Sequence, residues 1–180
     1  MPKYIENRTL KKIYEWTFEI ALAFAVFLLI QNFVLRTATI SGDSMEPSFS
    51  HNDRIIVSRL HYLLANPKVN DVIIFPDNND EQKFLVKRII AKEFDVVDLV
   101  GLRFTVNGEF LSDDFSSELI GSLGDQPFPI TVHENSYFVL GDNRNRSLDS
   151  RFTSVGLIPK SDIVGKAVFV FYPFSKLTFI

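Results

Sequence analysis

A serine held on a turn is the first group in this sequence that can do chemistry. Ser44 follows Gly42 and Asp43 in the stretch SGDSMEP, and Met45 and Pro47 come directly after it. Glycine and aspartate favour turns, so we expect the hydroxyl and backbone N–H of Ser44 to be exposed there. Such a turn can present a nucleophile. An ordinary serine turn without chemistry fits the same residues.

The second group is a lysine on a predicted apolar strand. In the stretch FLVKRII, alternation along a strand places Leu85, Lys87 and Ile89 on one face. Burial among apolar neighbours disfavours the charged ammonium and lowers the pKa of a lysine, so the amine becomes available as a base. A lysine placed in this way can take the proton of a serine hydroxyl. A surface lysine at a strand end is the alternative interpretation.

The third group is a dense polar segment, GDNRNRSLDSR, at residues 141–151. It follows a predicted apolar strand and can form a network of hydrogen bonds and ion pairs. Asp149 and Arg151 can pair, and Ser147 can donate a hydrogen bond to the Lys87 amine and orient it. A solvated hairpin turn is the alternative.

Other catalytic chemistries have less support. The chain has no cysteine, which excludes thiol nucleophiles, disulfides and thiolate metal sites. The three histidines, His51, His61 and His133, lack metal-ligand spacing, so we predict no metal site and no cofactor. His51 lies close behind Ser44 in the sequence, so a Ser-His-Asp arrangement stays open as an alternative.

The N-terminal part has the pattern of a membrane anchor. Residues 20–35 carry no formal charge, and with residues 16–19 they make a helix of about 30 Å, the thickness of a bilayer core. No Ala-x-Ala pattern ends the run, so we predict an uncleaved transmembrane helix at 16–36 rather than a signal peptide or a buried helix. Basic residues before the helix place segment 1–15 in the cytoplasm and domain 37–180 on the outer side of the cell membrane. The basic residues are Lys3, Arg8, Lys11 and Lys12.

The remainder has the pattern of a single β domain. Short runs rich in Val, Ile and Phe alternate with Asn, Asp, Gly and Pro. We therefore predict a mainly β fold, an antiparallel barrel or sandwich-like catalytic domain with one N-terminal transmembrane helix. Residues 111–133 are predicted to be a long surface excursion. The predicted strands are 37–41, 54–59, 71–75, 83–92, 96–99, 103–106, 137–140 and 163–171.

Composition bears on the partners. The net charge is −3 and charges of both signs are mixed along the chain, which argues against nucleic acid as a partner. The 18 phenylalanines, several of them near the C-terminus, suggest an apolar surface that meets a membrane or another protein.

Taken together, these segments resemble the type I signal peptidase family, the membrane-anchored Ser/Lys proteases that remove signal peptides from exported proteins. The resemblance covers nearly the whole chain and is closest to the compact, single-anchor, Gram-positive-like members. After the anchor, the matching motifs in the family's order are SGDSMEPS at 41–48, NDRIIVSR at 52–59, NDVIIF at 70–75, FLVKRIIA at 84–91, VNG at 106–108, GDNRNRSLDSR at 141–151 and VGKA at 164–167.

The resemblance implies a role for each site residue. Ser44 is implied as the nucleophile, Lys87 as the general base, and Ser147 as the residue that orients the lysine. The residues implied to support the site are Asp149, Arg151, Asp142 and Arg144, with Gly42 and Met45 beside the serine. Gly42 stands where some members carry a serine hydroxyl, so we expect one oxyanion donor to be backbone, with the Ser44 N–H the best candidate. The run AKEFD at 91–95 departs from the family's Gly-Leu-Pro-Gly-Asp.

The resemblance also implies partners: preproteins that carry signal peptides, the lipid bilayer and the secretion translocon. Two other functions compete. One is a Ser/Lys peptidase dedicated to a single substrate, such as a pilin or a transfer protein. The other is a pilin-like structural subunit, because the residues TFE at 17–19 before an apolar helix resemble a pilin N-terminus.

Overall fold

The computed structural model describes residues 8–29, 35–78, 80–112, 115 and 120–180. Its N-terminal element is a helix, α1, at Arg8–Leu29. The side chains from Leu10 to Leu28 are all exposed, so the rest of the described chain does not cover α1. In the described part of the chain, no helix combines the length and the apolar character needed to cross a membrane.

The C-terminal boundary of the predicted anchor needs a correction. Residues 30–34 of the predicted span 16–36 lie outside the described residues, and its last two residues belong to the first strand, β1, at Leu35–Thr39. The two residues at this boundary are too few to show whether the hydrophobic pattern is that of a helix or of a strand.

The described chain beyond α1 is mainly antiparallel β structure, as predicted. All eight predicted strands have observed counterparts, and four further strands of two residues each were not predicted. Two residues give no periodicity that a sequence can show. After β1, the strands are β2 Arg54–Ser58, β3 Val72–Asp77, β4 Asp80–Ala91, β5 Val96–Val100, β6 Arg103–Val106, β7 Glu109–Phe110, β8 Ile130–Thr131, β9 Ser136–Leu140, β10 Ile158–Pro159, β11 Gly165–Tyr172 and β12 Thr178–Phe179.

These strands form two sheets rather than a closed barrel. The larger sheet has the order β1-β2-β11-β3-β4-β9-β10, with β12 also paired to β11, and the smaller has the order β7-β6-β5-β8. The end strands β1 and β10 do not pair with each other among the described residues, so the barrel alternative is wrong. A short helix, α2, at His61–Leu64 and three 3-10 helices at Arg144–Arg146, Lys160–Asp162 and Phe174–Lys176 complete the described elements.

Three clusters of buried side chains hold the sheets together. The first lies under the loop between β1 and β2 and includes Met45 and Phe49 of that loop. The second joins the smaller sheet to β9, where Phe104 packs against Phe138. Two residues of the predicted surface excursion, Ile120 and Val132, are buried in this second cluster, so that segment is not only a surface loop. The third cluster lies along β3, β4 and β9.

Candidate active site

Ser44 lies in the loop between β1 and β2. Backbone hydrogen bonds from Ile40 N to Asp53 O (2.8 Å) and from Asn52 N to Ile40 O (2.9 Å) close the base of this loop. Met45 is 1% exposed, so the residue after the serine is anchored in the core. The Ser44 carbonyl accepts a hydrogen bond from Asn143 N at 3.1 Å. The turn predicted from SGDSMEP is therefore held by the buried Met45 side chain and by the hydrogen bond from Asn143. The Ser44 hydroxyl faces β4.

Lys87 reaches that hydroxyl from β4. Its Nζ donates a hydrogen bond to Ser44 Oγ at 2.8 Å and a second to the Val86 carbonyl at 3.1 Å. Lys87 lies opposite Ile73 of β3, so pairing with β3 fixes the position of the lysine backbone in the sheet. Lys87 is only 2% exposed, as strand alternation predicted.

The surroundings of Lys87 change its acid–base behaviour. Burial lowers the pKa of Lys87 from 10.5 to about 8, because a desolvated ammonium loses its hydration. The carboxylates of Asp149 and Asp142 oppose that shift, and the guanidinium of Arg151 adds to it. A contact with a hydroxyl at 2.8 Å and a lowered pKa are the two properties that a general base needs.

Most residues of the polar segment 141–151 are buried and form a network beside Ser44 and Lys87. Asp149 and Arg151 are both fully buried and form an ion pair, with Nε to Oδ1 at 2.7 Å and Nη2 to Oδ2 at 3.0 Å. Arg151 also donates to the carbonyls of Arg144 (2.6 Å) and Ser147 (3.1 Å). Arg144, itself 2% exposed, donates from Nε to the Gly141 carbonyl at 3.0 Å. The guanidinium of Arg151 thus links Arg144, Ser147 and Asp149 of this segment through hydrogen bonds. The alternative of a solvated hairpin is wrong.

Gly141 allows this segment to approach the serine loop closely. A Cβ at this position would collide with the Ser147 hydroxyl and with the Ser44 carbonyl. Only glycine leaves the space in which the two segments meet.

Ser147 is buried, but it does not make the contact predicted for it. Its Oγ has no hydrogen-bond partner among the described residues, so no bond to Lys87 is observed. The side chain is 7% exposed and lies beside Gly141. The structure therefore brings Ser147 to the site without the predicted hydrogen bond.

Arg88 is a site residue that the sequence interpretation missed. Its guanidinium makes a two-pronged ion pair with Asp142, with Nε to Oδ1 at 2.8 Å and Nη2 to Oδ2 at 2.7 Å. Arg88 is 5% exposed and Asp142 is 1% exposed. Alternation along β4 points Arg88 to the face opposite Lys87, a signal that was available in the sequence. Its partner lies in a distant segment, which alternation cannot reveal.

His51 does not take the place of the lysine. Its Nδ1 accepts a hydrogen bond from the backbone N–H of Gly42 at 3.0 Å, whereas the described partner of the Ser44 hydroxyl is Lys87. The Ser-His-Asp alternative therefore has no geometric support. Among the described residues, no group of three or more His, Asp or Glu side chains could hold a metal ion.

The chain is similar in sequence to known signal peptidases. The family described as signal peptidase, peptidase S26, matches residues 13–172. Signal peptidase I S of Bacillus subtilis (strain 168) is 33% identical over 96% of each chain. Signal peptidase IB of Staphylococcus aureus (strain COL) is 32% identical over 92% of this chain and 93% of its own. A crystal structure of a signal peptidase I from Enterococcus faecalis V583 is 28% identical, covers 58% of this chain and 98% of that chain, and has a TM-score of 0.49.

The matched residues include most of α1, the loop that carries Ser44, strand β4 and segment 141–151. The prediction of a signal peptidase is confirmed by these comparisons: the chain belongs to the signal peptidase family, peptidase S26.

Proposed function

We propose that this protein is a membrane-bound serine endopeptidase that removes signal peptides from exported preproteins, with Ser44 as nucleophile and Lys87 as general base. The observation that carries the proposal is the 2.8 Å contact between Lys87 Nζ and Ser44 Oγ on a lysine that is 2% exposed. The same pair would serve a peptidase dedicated to one substrate, but no specific feature favours that alternative. Membership of the signal peptidase family argues against a pilin-like subunit.

In each half of the proposed reaction, Lys87 first accepts a proton and then donates it. Neutral Lys87 takes the proton of the Ser44 hydroxyl as Oγ attacks the scissile carbonyl, and the resulting ammonium then protonates the leaving amine. The products of this first half are the released mature chain and an ester on Ser44. Lys87 then takes a proton from a water molecule that attacks the ester, and it gives this proton to Ser44 Oγ as the C–O bond breaks and the signal peptide leaves.

The pKa of Lys87 makes this cycle feasible near neutral pH. With a pKa of about 8, roughly 10% of the amine is neutral at pH 7, against about 0.04% for a free lysine. The developing negative charge on the substrate oxygen needs a donor, and the backbone N–H of Ser44 is our candidate. We further propose that Ser147 orients Lys87 during turnover, a role supported by its burial beside the Gly141 contact.

The edge of β4 offers a place for an extended substrate. Among the described strands, β4 pairs with β9 only from Arg88 onward, whereas it pairs with β3 along residues 80–88. The segment before Lys87 therefore has one unpaired side next to the dyad. We propose that the substrate chain adds to this side as a strand, because main-chain hydrogen bonds tolerate varied sequences.

Helix α1 and the C-terminal aromatics support attachment to a membrane. The exposed apolar side chains of α1 include Trp16 and Phe24, at 66% and 60% exposure, and they need an apolar environment. Phe174 and Phe179 are 77% and 85% exposed at the other end of the chain. We propose an anchor that begins at residue 16 and ends before Leu35, with the N-terminus in the cytoplasm and the β domain outside, close to the translocon.

The dyad is tested by removing each partner separately. Ser44→Ala and Lys87→Ala, purified as full chains in detergent micelles, are expected to lose cleavage of several unrelated preproteins by at least about 1,000-fold. Ser154→Ala and Lys92→Ala are matched controls, because both side chains are exposed and neither residue belongs to the candidate site. Gel analysis of the processed product measures the rate, and thermal unfolding checks the fold. Near-normal processing by folded Lys87→Ala would refute the dyad.

The topology is tested by cysteine labelling, for which the absence of native cysteine leaves no background. Lys92→Cys and Lys11→Cys both place a thiol at an exposed position. A membrane-impermeant maleimide added to intact cells is expected to label position 92 alone, and to reach position 11 only after permeabilisation. Labelling of position 11 in intact cells would reverse the proposed orientation.

A further inference from the structure

The imidazole of His51 is joined to the loop that carries Ser44. Its Nδ1 accepts the Gly42 N–H at 3.0 Å, and Gly42 stands two residues before the serine. His51 itself lies at the far end of the same loop, next to Asn52, whose backbone closes the loop base. The bond therefore crosses the loop from one arm to the other.

The arm before Ser44 has little else to hold it. Gly42 adopts a φ of +92°, a conformation that side-chain-bearing residues rarely adopt, and a Cβ there would meet nothing within 4 Å. Packing therefore does not determine the direction of this turn. Asp43 forms an ion pair with Arg146 at 3.2 Å, but their side chains are 41% and 69% exposed, where such pairs contribute little.

The arm after Ser44 differs in this respect. Met45 is buried in the first core cluster, and Phe49 N donates to the Met45 carbonyl at 2.8 Å. The serine thus sits between a packed arm and an arm without packing, which is held by the bond from Gly42 N to His51 Nδ1, by a bond from Glu46 N to the Asp43 carbonyl at 3.2 Å and by the exposed Asp43–Arg146 pair. The direction in which Ser44 presents its hydroxyl and its N–H depends on both.

We infer that His51 is a positioning residue for the nucleophile: by accepting the Gly42 N–H it holds the turn that directs Ser44 towards Lys87. The inference rests on the proposed role of Ser44. It requires an acceptor at the Nδ1 position, with the proton on Nε2, and it assigns His51 no proton transfer. Because Gly42 N–H is engaged by His51, it is also not free to serve as an oxyanion donor while this bond is made.

The chemistry of the contact gives a specific test. Asparagine places Oδ1 at nearly the position of Nδ1, so His51→Asn preserves the acceptor, whereas His51→Ala removes it. His133→Ala is the matched control, because His133 is also exposed and lies before β9, outside the loop that carries Ser44. The full chain in detergent micelles is used throughout.

Two measurements are made on each variant. Steady-state cleavage of a preprotein gives kcat and KM, and hydrogen exchange followed by mass spectrometry gives the protection of peptides that contain residues 42–45. His51→Ala is expected to lower kcat by about 2- to 10-fold, the range for one net hydrogen bond, with KM changed less than about twofold. It is also expected to exchange faster in the 42–45 peptides. His51→Asn is expected to restore both properties, and His133→Ala to change neither.

The outcomes separate this inference from the dyad. Wild-type kcat and wild-type exchange in His51→Ala would overturn the inference and leave the dyad intact. A lower kcat with unchanged exchange, or with no restoration by His51→Asn, would also overturn it, since the imidazole would then act by another route. Cleavage that survives in Ser44→Ala would instead refute the proposed function, while the exchange data would still report the Gly42 bond.

Discussion

Two lysines on the strands that flank β3 in the larger sheet have opposite surroundings. Lys87 of β4 and Lys166 of β11 are both register partners of Ile73, one on each side of β3. Lys166 forms an ion pair with Asp71, with Nζ to Oδ1 at 2.6 Å, and its side chain is 19% exposed. Lys87 contacts a hydroxyl and a carbonyl instead, and is more deeply buried. The sheet thus places Lys87 and Lys166 at the same register position on either side of β3, but of these two amines Lys166 is the one that contacts a carboxylate.

The difference shows that burial alone does not make a base. The ammonium of Lys166 forms an ion pair with a carboxylate at 2.6 Å and so belongs to a structural network. Asp71 also accepts hydrogen bonds from Tyr62 Oη (3.0 Å) and Lys68 N (2.9 Å), and burial together with this carboxylate raises the pKa of Tyr62. Lys87 is desolvated without such a contact, and its pKa falls to about 8.

The same substitution at both lysines should separate chemistry from structure. Lys87→Met keeps most of the side-chain volume but removes the amine, so we expect cleavage to fall by about 1,000-fold or more. Lys166→Met is expected to retain cleavage within about threefold, because its ammonium does not contact Ser44. Rates with one preprotein, normalised to folded protein, measure both. Equal losses would mean that the comparison does not identify the base.

Unfolding free energies should change with opposite signs. Lys87→Met is expected to be more stable than wild type at pH 7 by up to about 3 kcal/mol, because the native state no longer opposes the charge of a desolvated lysine. Lys166→Met is expected to lose about 1–3 kcal/mol, because buried Asp71 loses its ion partner. Denaturant unfolding of both variants in micelles measures the change.

The sign for Lys87 can be checked against pH. Its native pKa of about 8 lies below the ordinary value of 10.5, so between these values the unfolded chain binds more protons and wild-type stability rises with pH. The advantage of Lys87→Met should therefore shrink as the pH rises from about 8 towards 10.5. A constant difference across that window would contradict the lowered pKa.

Cleavage should depend on pH through the same group. The neutral amine is the active form, so kcat/KM is expected to rise about 50-fold from pH 6 to pH 8 and to level off above the pKa. Lys166→Met should show the same midpoint, because the titrating group is unchanged. Circular dichroism at each pH confirms that the fold is intact. A flat profile between pH 6 and 8 would be inconsistent with Lys87 as the base.

Ser147→Ala should reduce cleavage far less than Lys87→Met does. Its hydroxyl is buried without a described partner, so its removal is expected to change unfolding by less than about 1 kcal/mol. If the hydroxyl orients Lys87 during turnover, kcat falls by about 3- to 10-fold with KM unchanged. Ser154→Ala is the exposed control. An unchanged kcat would remove Ser147 from the mechanism.

Much of the site was predictable because it depends on local rules. Alternation along β4 predicted that Lys87 is buried, and the turn residues before Ser44 predicted its loop. The role of Arg88 was not predicted, because its partner Asp142 lies in a segment that the sheet brings near only after folding. The hydrogen bond from Ser147 to Lys87 was predicted but is not observed among the described residues. The sequence does not determine how two side chains from distant segments are placed relative to each other.

The fold shows the same division. Strands of four or more residues carry a two-residue period and were predicted, whereas strands of two residues were not. Barrel closure depends on whether distant end strands pair, and in the described part of the chain β1 and β10 do not.

The sequence by itself determined where the eight longer strands lie along the chain, which residue types form the site, and the family. Motif identity and hydrophobic period are properties of the chain. The tertiary structure alone decided which lysine meets a hydroxyl and which meets a carboxylate. The reason is physical: the pKa of a buried amine depends on contacts within a few ångströms, and those contacts exist only once separate strands and loops have packed together.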